Sequence, residues 1–138
     1  MIYSIEYIAV SAIAPILLIP VEKILPYPYI VEEIVKFLLV RKLARKKHNH
    51  WHAAITAGIL FTTTESFLYL PNIITSGNGV VTLIHRLLFT GILHCGTNVA
   101  MFYGNRKSNF WGIFSLVIAM ASHYLFNWFW LNVFVNYY

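Results

Sequence analysis

The sequence contains no aspartate, a single cysteine and few charges. Charged residues occupy 11% of its 138 positions, whereas hydrophobic residues occupy 59% and the mean hydropathy is +0.66. Soluble domains are roughly half apolar, so a chain of this length cannot bury that much apolar surface away from water. The single cysteine, Cys95, excludes an internal disulfide. The composition therefore predicts an all-α membrane protein.

Five apolar stretches have the lengths of short membrane helices. At about 20 residues per crossing, the chain has room for four or five helices joined by short turns. The predicted spans are roughly 2–19, 29–43, 51–70, 80–103 and 110–135. We predict turns at 20–28, 71–79 and 104–109, and a kink at Pro15. The prediction is a polytopic membrane helix bundle of about five transmembrane helices in one domain, 1–138, with its first span retained.

Positive charge is concentrated in two of the predicted loops. Five of the ten cations fall in 41–47 and two more are Arg106 and Lys107, whereas the loops on the opposite side hold only Lys23. Lys and Arg accumulate in cytoplasmic loops, beside anionic lipid headgroups. We therefore expect an integral protein of a prokaryotic cell membrane, with a cytoplasmic N-terminus and an external C-terminus. It contacts the lipid bilayer and no nucleic acid.

Ionisable residues also occur inside the predicted helices. A charge near the bilayer centre costs about 2.5–3.5 kcal/mol, so such groups face the bundle interior and find partners. Helical spacing supports this arrangement, since residues three or four apart share a face. The spaced groups are Glu32 and Glu33 with Lys36, Glu65 with Tyr69, Arg86 with Thr90 and His94, His94 with Asn98, and His123 with Asn127. Four helices thus each carry a polar stripe, which predicts one polar pocket that holds water.

These residues also have purely structural interpretations. Lys36 can form a structural salt bridge with either neighbouring glutamate, and Arg86 can extend to the membrane surface. A histidine in a membrane helix often only links two helices. The segment HNHWH, 48–52, has the spacing of metal ligands, but it follows a lysine run, which favours a solvated interfacial loop.

Four short motifs follow one another on four different predicted helices. They are EEIVK (32–36), FTTTESFLY (61–69), RLLFTGILH (86–94) and HYLFN (123–127). This order resembles the PrsW-type glutamic intramembrane proteases, which are related to the CAAX-processing and bacteriocin-processing membrane proteases. The chain is shorter than typical members, and Asn98 stands where the family tends to carry threonine. The resemblance implies a membrane-embedded endopeptidase whose substrate is a membrane-anchored protein or peptide.

The resemblance also assigns roles to individual residues. The implied catalytic residues are Glu32, Glu33, Glu65, His94, His123 and Asn127, and the implied supporting residues are Lys36, Tyr69, Arg86 and Asn98.

No serine or cysteine nucleophile accompanies the polar stripes, so a water activated by Glu32 or Glu33 would attack the peptide bond. The histidines would hold that water or stabilise the oxyanion, with a hydrogen bond from Asn127. Neighbouring glutamates point about 100° apart on a helix. One is therefore the base while the other orients Lys36 or an adjoining helix, and the resemblance slightly favours Glu32 as the base.

Two other functions fit the same residues. His94, His123 and a glutamate can bind zinc and leave a position for water, although the sequence has no HExxH motif. The glutamic mechanism requires no cofactor. A non-enzymatic transporter, proton-coupled carrier or assembly partner would also place paired ionisable residues inside its helices. The order of the four motifs favours the protease.

Overall fold

The structure is a computed structural model that describes residues 2–46, 50–75, 79–130 and 132. Within these residues the chain forms five helices and no strand, which confirms the all-α prediction. The helices are α1 (Ile2–Glu22), α2 (Pro28–Ala44), α3 (Trp51–Thr75), α4 (Gly79–Lys107) and α5 (Asn109–Trp130). His48 and Asn49, in the histidine-rich segment, and residues 131 and 133–138 lie outside the described residues.

Three helices, α3, α4 and α5, are long and apolar enough to cross a membrane, and α1 contains a shorter apolar stretch, Ile5–Val21. Large hydrophobic side chains such as Leu17, Phe67 and Ile92 are exposed, whereas charged side chains such as Lys36 are buried. Soluble proteins show the reverse distribution. The outer surface of the bundle therefore suits lipid, and membrane crossing by α1 and α2 stays a prediction.

Helix α3 continues past Pro71, where we predicted a loop. Proline in a helix interior removes one backbone hydrogen bond, but Pro71 lies in the last turns, where few bonds follow it. The Thr75 hydroxyl donates a hydrogen bond to the Pro71 carbonyl at 2.9 Å and so satisfies one acceptor at the helix end. The predicted loop at 71–79 is therefore wrong over 71–75.

The turn between α4 and α5 is also shorter than the predicted 104–109, because α4 continues to Lys107 and α5 begins at Asn109. Only Ser108 separates the two helices. Its hydroxyl accepts a hydrogen bond from the Trp111 backbone N–H at 3.3 Å, as an N-cap serine does. Arg106 and Lys107 lie in the last turn of α4, where the negative end of the helix dipole attracts cations.

Helix α4 is central, since it packs against α2, α3 and α5, while α1 packs against α2 and α3. The larger apolar core occupies the end of the bundle at which α2 finishes and α3 begins, and it includes Phe37, Val40, Ala54, Met101 and Phe102. A smaller cluster joins Ala14, Leu18 and Phe61. The two cores bring the polar faces of α2, α3, α4 and α5 together.

Gly58 sets the distance between α3 and α4. A Cβ at this position would lie 2.8 Å from the Cys95 Cα and 2.9 Å from the Cys95 nitrogen, so the two backbones could not approach as they do. We expect Gly58→Ala to destabilise the protein by about 1–3 kcal/mol, as overpacking does. Reversible unfolding in mixed micelles measures the effect.

Gly96 provides the matched control, because a Cβ there meets nothing within 4 Å. Gly96→Ala should leave stability unchanged or raise it slightly, since alanine favours a helix over glycine by about 1 kcal/mol. Equal stabilities for the two variants would contradict the close crossing of α3 and α4.

Candidate functional site

Helix α2 places a carboxylate and an ammonium on its buried face. Glu33 and Lys36 are one turn apart, and the Lys36 Nζ donates a hydrogen bond to the Glu33 Oε1 at 2.6 Å. Both side chains are almost completely enclosed, with exposures of 0% and 3%. A buried charge is tolerated only when it is paired and hydrogen-bonded, and each of these two groups supplies that partner to the other.

Lys36 also bonds to α4, and this contact fixes the tautomer of a histidine. Its Nζ lies 2.8 Å from the His94 Nδ1. An ammonium has only donors, so the Nδ1 must accept and the proton of the neutral ring resides on Nε2. The Nε2–H then donates to the Glu65 Oε2, which lies 2.8 Å away on α3. The other oxygen of Glu65 accepts from Arg86 at 2.7 Å.

His123, on α5, completes the network from the other side. Its Nδ1 lies 2.9 Å from the Glu33 Oε1 and 3.8 Å from the Glu32 Oε2. Because a carboxylate accepts, the Nδ1 donates, which leaves the lone pair of the neutral ring on Nε2. The His94 and His123 rings stand edge to face, with centroids 5.4 Å apart. The Glu33 Oε1 therefore accepts hydrogen bonds from both Lys36 and His123.

The resulting chain of contacts runs from Arg86 through Glu65, His94, Lys36 and Glu33 to His123, and we call it the polar network. Arg86 is paired with Glu65 and Lys36 is paired with Glu33, so each negative charge in the network has a positive partner. Within the network, the buried Glu33 Oε2 has no hydrogen-bond partner among the described residues. Buried acceptors of this kind normally bind ordered water. The network thus offers binding positions for water beside a carboxylate.

A cavity of about 520 Å³ adjoins the Glu65 end of the polar network. It lies between α1, the start of α2 and the second half of α3, and Pro15, Ile19, Lys23, Pro28, Glu65, Leu68, Tyr69 and Pro71 line it. The Tyr69 ring lies 3.8 Å from the Arg86 guanidinium carbon, so a cation–π contact holds Arg86 beside Glu65. The cavity reaches Glu65 from the end of the bundle where α1 finishes.

Three members of the polar network have the composition of a metal site. Glu33, His94 and His123 each offer a ligand atom, and these atoms lie within 4.8 Å of one another. A histidine and carboxylate set of this size suits zinc. However, the Lys36 ammonium already lies between two of the three ligands, at 2.6 Å from Glu33 and 2.8 Å from His94.

The structure brings together most of the residues singled out in the sequence. Glu32, Glu33, Lys36, Glu65, Arg86, His94 and His123 meet in or beside the polar network, and Tyr69 lies at its edge. Asn98 has a different position, one turn from His94, where its amide donates to the Ala54 carbonyl at 3.3 Å and ties α4 to α3. Asn127 is half-buried and makes no hydrogen bond among the described residues, so its role stays a prediction.

Phe61 and Tyr29 also belong to the site, although no role was predicted for either residue. The Phe61 ring lies 4.5 Å from the Lys36 Nζ and 5.0 Å from the His94 ring, measured to its centroid. Tyr29 lies 5.9 Å from the His123 ring. Phe61 precedes Glu65 by four residues and shares its helical face, and this spacing was the available signal.

Comparisons with protein-family models, with curated proteins and with solved structures find no match to the chain. The resemblance to the glutamic intramembrane proteases therefore rests on the four motifs alone.

Proposed function

We propose that the chain is a glutamic-type intramembrane endopeptidase that hydrolyses a peptide bond in a membrane-anchored protein or peptide. One observation carries the proposal: the four motif helices each contribute a side chain to a single hydrogen-bonded network. The members are Glu33 and Lys36 from α2, Glu65 from α3, His94 from α4 and His123 from α5. A set of structural salt bridges would not need two histidines facing two carboxylates.

The ion pairing supports a division of labour between the adjacent glutamates. Glu33 accepts from both Lys36 and His123, so its charge is compensated and it orients both side chains. Glu32 lies at 3.8 Å from the same His123 nitrogen and is also buried. We assign the general base to Glu32, which removes a proton from a water bound near His123.

The remaining groups suit the later steps of hydrolysis. The attack of water on the carbonyl generates an oxyanion, which the remaining hydrogen of the buried Lys36 ammonium can stabilise. The proton that Glu32 takes from the water passes to the leaving amine, so no second acid is needed, and the bond from His94 to Glu65 fixes the orientation of the His94 ring. Arg86 compensates the charge of Glu65. The cavity beside Glu65 and Tyr69 is the proposed route for water and for the substrate segment.

We further propose that all five helices cross the membrane, with the N-terminus in the cytoplasm. The ends of α2 and α4 carry the basic residues of the predicted cytoplasmic loops. Arg41, near the end of α2, donates a hydrogen bond to the Asn109 side chain at the start of α5, at 3.2 Å. This contact supports the placement of both predicted cytoplasmic loops on the same side of the membrane. The cavity beside Glu65 would then open toward the external side.

A library of single-span peptides anchored in proteoliposomes tests the proposed activity. The library varies the sequence from the middle of the span to its outer end, and mass spectrometry identifies new peptide termini. We expect cleavage with the unmodified protein and none with His123→Gln. Glu6→Gln is the matched control, because Glu6 lines a separate groove between α1 and α2. Its cleavage rate should equal that of the unmodified protein.

Two outcomes would overturn the proposed function. Cleavage that continues at the same rate in His123→Gln would assign the activity to a contaminant. Absence of cleavage across the library, together with proton flux through the proteoliposomes that requires Glu33 and Glu65, would identify a carrier instead.

A zinc protease is the second candidate, because Glu33, His94 and His123 form a ligand set. The Lys36 ammonium disfavours it, since zinc would have to displace a cation that already bonds to two ligands. We therefore expect 1,10-phenanthroline and EDTA to leave cleavage unchanged. A loss of activity with chelator that added zinc restores would establish the metalloprotease in its place.

A further inference from the structure

Lys36 has the contacts of a bound cation rather than those of a simple salt bridge. Its ammonium carries three hydrogens. One is directed at the Glu33 Oε1 at 2.6 Å and one at the His94 Nδ1 at 2.8 Å, and the Phe61 ring centroid lies 4.5 Å away. A carboxylate, an imidazole lone pair and an aromatic face thus enclose one positive charge.

Two of those three contacts involve residues of a possible metal site. Glu33, His94 and His123 place their ligand atoms within 4.8 Å of one another. Zinc binds imidazole and carboxylate at about 2.0–2.2 Å, so modest rotation of the side chains would close the three ligands around one ion. All three residues are buried, with exposures of 0%, 0% and 2%. The feature that separates this site from a zinc site is the ammonium inside it.

We propose that Glu33, His94 and His123 form a latent divalent-metal site that the Lys36 ammonium occupies in place of a metal. At this site Lys36 positions another residue: it excludes metal and holds His94 with its Nε2–H directed at Glu65. The proposal concerns the cation content of the site, and it stands whether or not the chain cleaves peptides.

Removal of the ammonium should convert the site into a metal site. Lys36→Ala leaves the three ligands in place, removes the competing charge and opens the volume of the lysine side chain. We expect the purified Lys36→Ala protein to retain about one Zn²⁺ per chain after desalting, as a buried histidine and carboxylate set does. The unmodified protein should retain almost none. Elemental analysis by mass spectrometry measures the zinc content.

The histidine-rich segment 48–52 is a competing site and must be removed from the comparison. Every protein in the series therefore carries His48→Gln, His50→Gln and His52→Gln and is purified without a histidine tag. Two further variants test the ligands: Lys36→Ala combined with His94→Gln, and Lys36→Ala combined with His123→Gln. Both should return to the zinc content of the background protein. Lys36→Arg keeps the positive charge and should also exclude zinc.

Cobalt gives a second readout that identifies the ligands. Co²⁺ in a low-symmetry site with imidazole ligands absorbs visible light strongly, whereas hydrated Co²⁺ absorbs weakly. The strong absorption band should appear with the Lys36→Ala protein and with no other protein of the series. Thermal unfolding still detects metal binding if Lys36→Ala lowers stability. Added Zn²⁺ should raise the melting temperature of the Lys36→Ala protein and leave that of the unmodified protein unchanged.

The unmodified protein also provides a test that needs no variant of Lys36. Nitrogen NMR of protein labelled with ¹⁵N-histidine distinguishes the two tautomers of a neutral imidazole. His94, assigned by comparison with His94→Gln, should carry its proton on Nε2. A proton on Nδ1 would show that Lys36 does not donate to this ring, and it would overturn the proposal.

Two metal results would also overturn it. One is a Lys36→Ala protein that folds but binds no more zinc than Lys36→Arg. The other is an unmodified protein that binds about one zinc per chain and loses it with His123→Gln. In either case the cleavage assay with the peptide library still decides separately whether the chain is a protease.

Discussion

Glu32→Gln should abolish peptide cleavage while leaving the protein folded. The amide keeps the size of the side chain but cannot take a proton from water, and loss of a general base lowers a rate by about 10²–10⁴-fold. Stability should change little, because Lys36 forms its ion pair with the neighbouring Glu33. The cleavage rate and the melting temperature of the same preparation measure the two effects.

Glu33→Gln is the informative companion variant. It should also lose cleavage, but for a different reason, since it leaves Lys36 and His123 without the carboxylate that orients them. Its melting temperature should fall clearly below that of Glu32→Gln. The reverse result, a stable and inactive Glu33→Gln beside an active Glu32→Gln, would transfer the role of base from Glu32 to Glu33.

Lys36→Met should lower the free energy of unfolding by about 3–5 kcal/mol, the cost of removing one partner of a buried ion pair. The methionine fills the space of the lysine stem but leaves the Glu33 carboxylate without its cation in a site from which water is excluded. Reversible unfolding in mixed micelles measures the loss. Lys42→Met is the matched control on the same helix, because Lys42 is exposed.

A double variant separates the unpaired charge from the loss of packing. Glu33→Gln combined with Lys36→Met removes both charges, so it should be more stable than Lys36→Met alone. Additive losses in the double variant would mean that the two residues do not interact, which would contradict the 2.6 Å contact. This double-mutant cycle gives the interaction free energy between Glu33 and Lys36.

The sequence could predict the helices and their polar faces because both follow from local rules. The spacing of Glu33 with Lys36 and of Arg86 with His94 placed each stripe on one face, and the cost of charge in lipid required those faces to meet. The convergence of Glu65, His94 and His123 was therefore predictable as a group. Individual contacts were not, because the bond between Lys36 and His94 joins residues 58 positions apart.

The different roles of Glu32 and Glu33 could not be predicted from the sequence, because they depend on how α5 packs against α2. A helix fixes their directions about 100° apart, but only the position of His123 shows that Glu33 shares its hydrogen bond with both Lys36 and this histidine. The turns were less predictable for a similar reason. Pro71 and Gly104 are typical of loops, yet α3 and α4 continue through them because neighbouring side chains and tight helix contacts favour the helix.

The one-residue turn at Ser108 also determines how deep the two histidines lie. His94 is 14 residues before Ser108 and His123 is 15 residues after it. At 1.5 Å per residue both rings lie about 21–23 Å from the turn, and α4 extends about 23 Å from His94 to its start at Gly79. Since a bilayer with its headgroups is about 40–45 Å thick, the proposed orientation puts the scissile bond near the midplane.

At that depth a substrate helix has every peptide carbonyl and N–H satisfied by its own backbone. Water cannot attack such a carbonyl without the local loss of those hydrogen bonds. The preferred substrates of this chain would therefore unwind readily at mid-span, where glycine or proline weakens the helix. Cleavage preference in the peptide library should thus follow the helical stability of the span more closely than the side chains beside the cut bond.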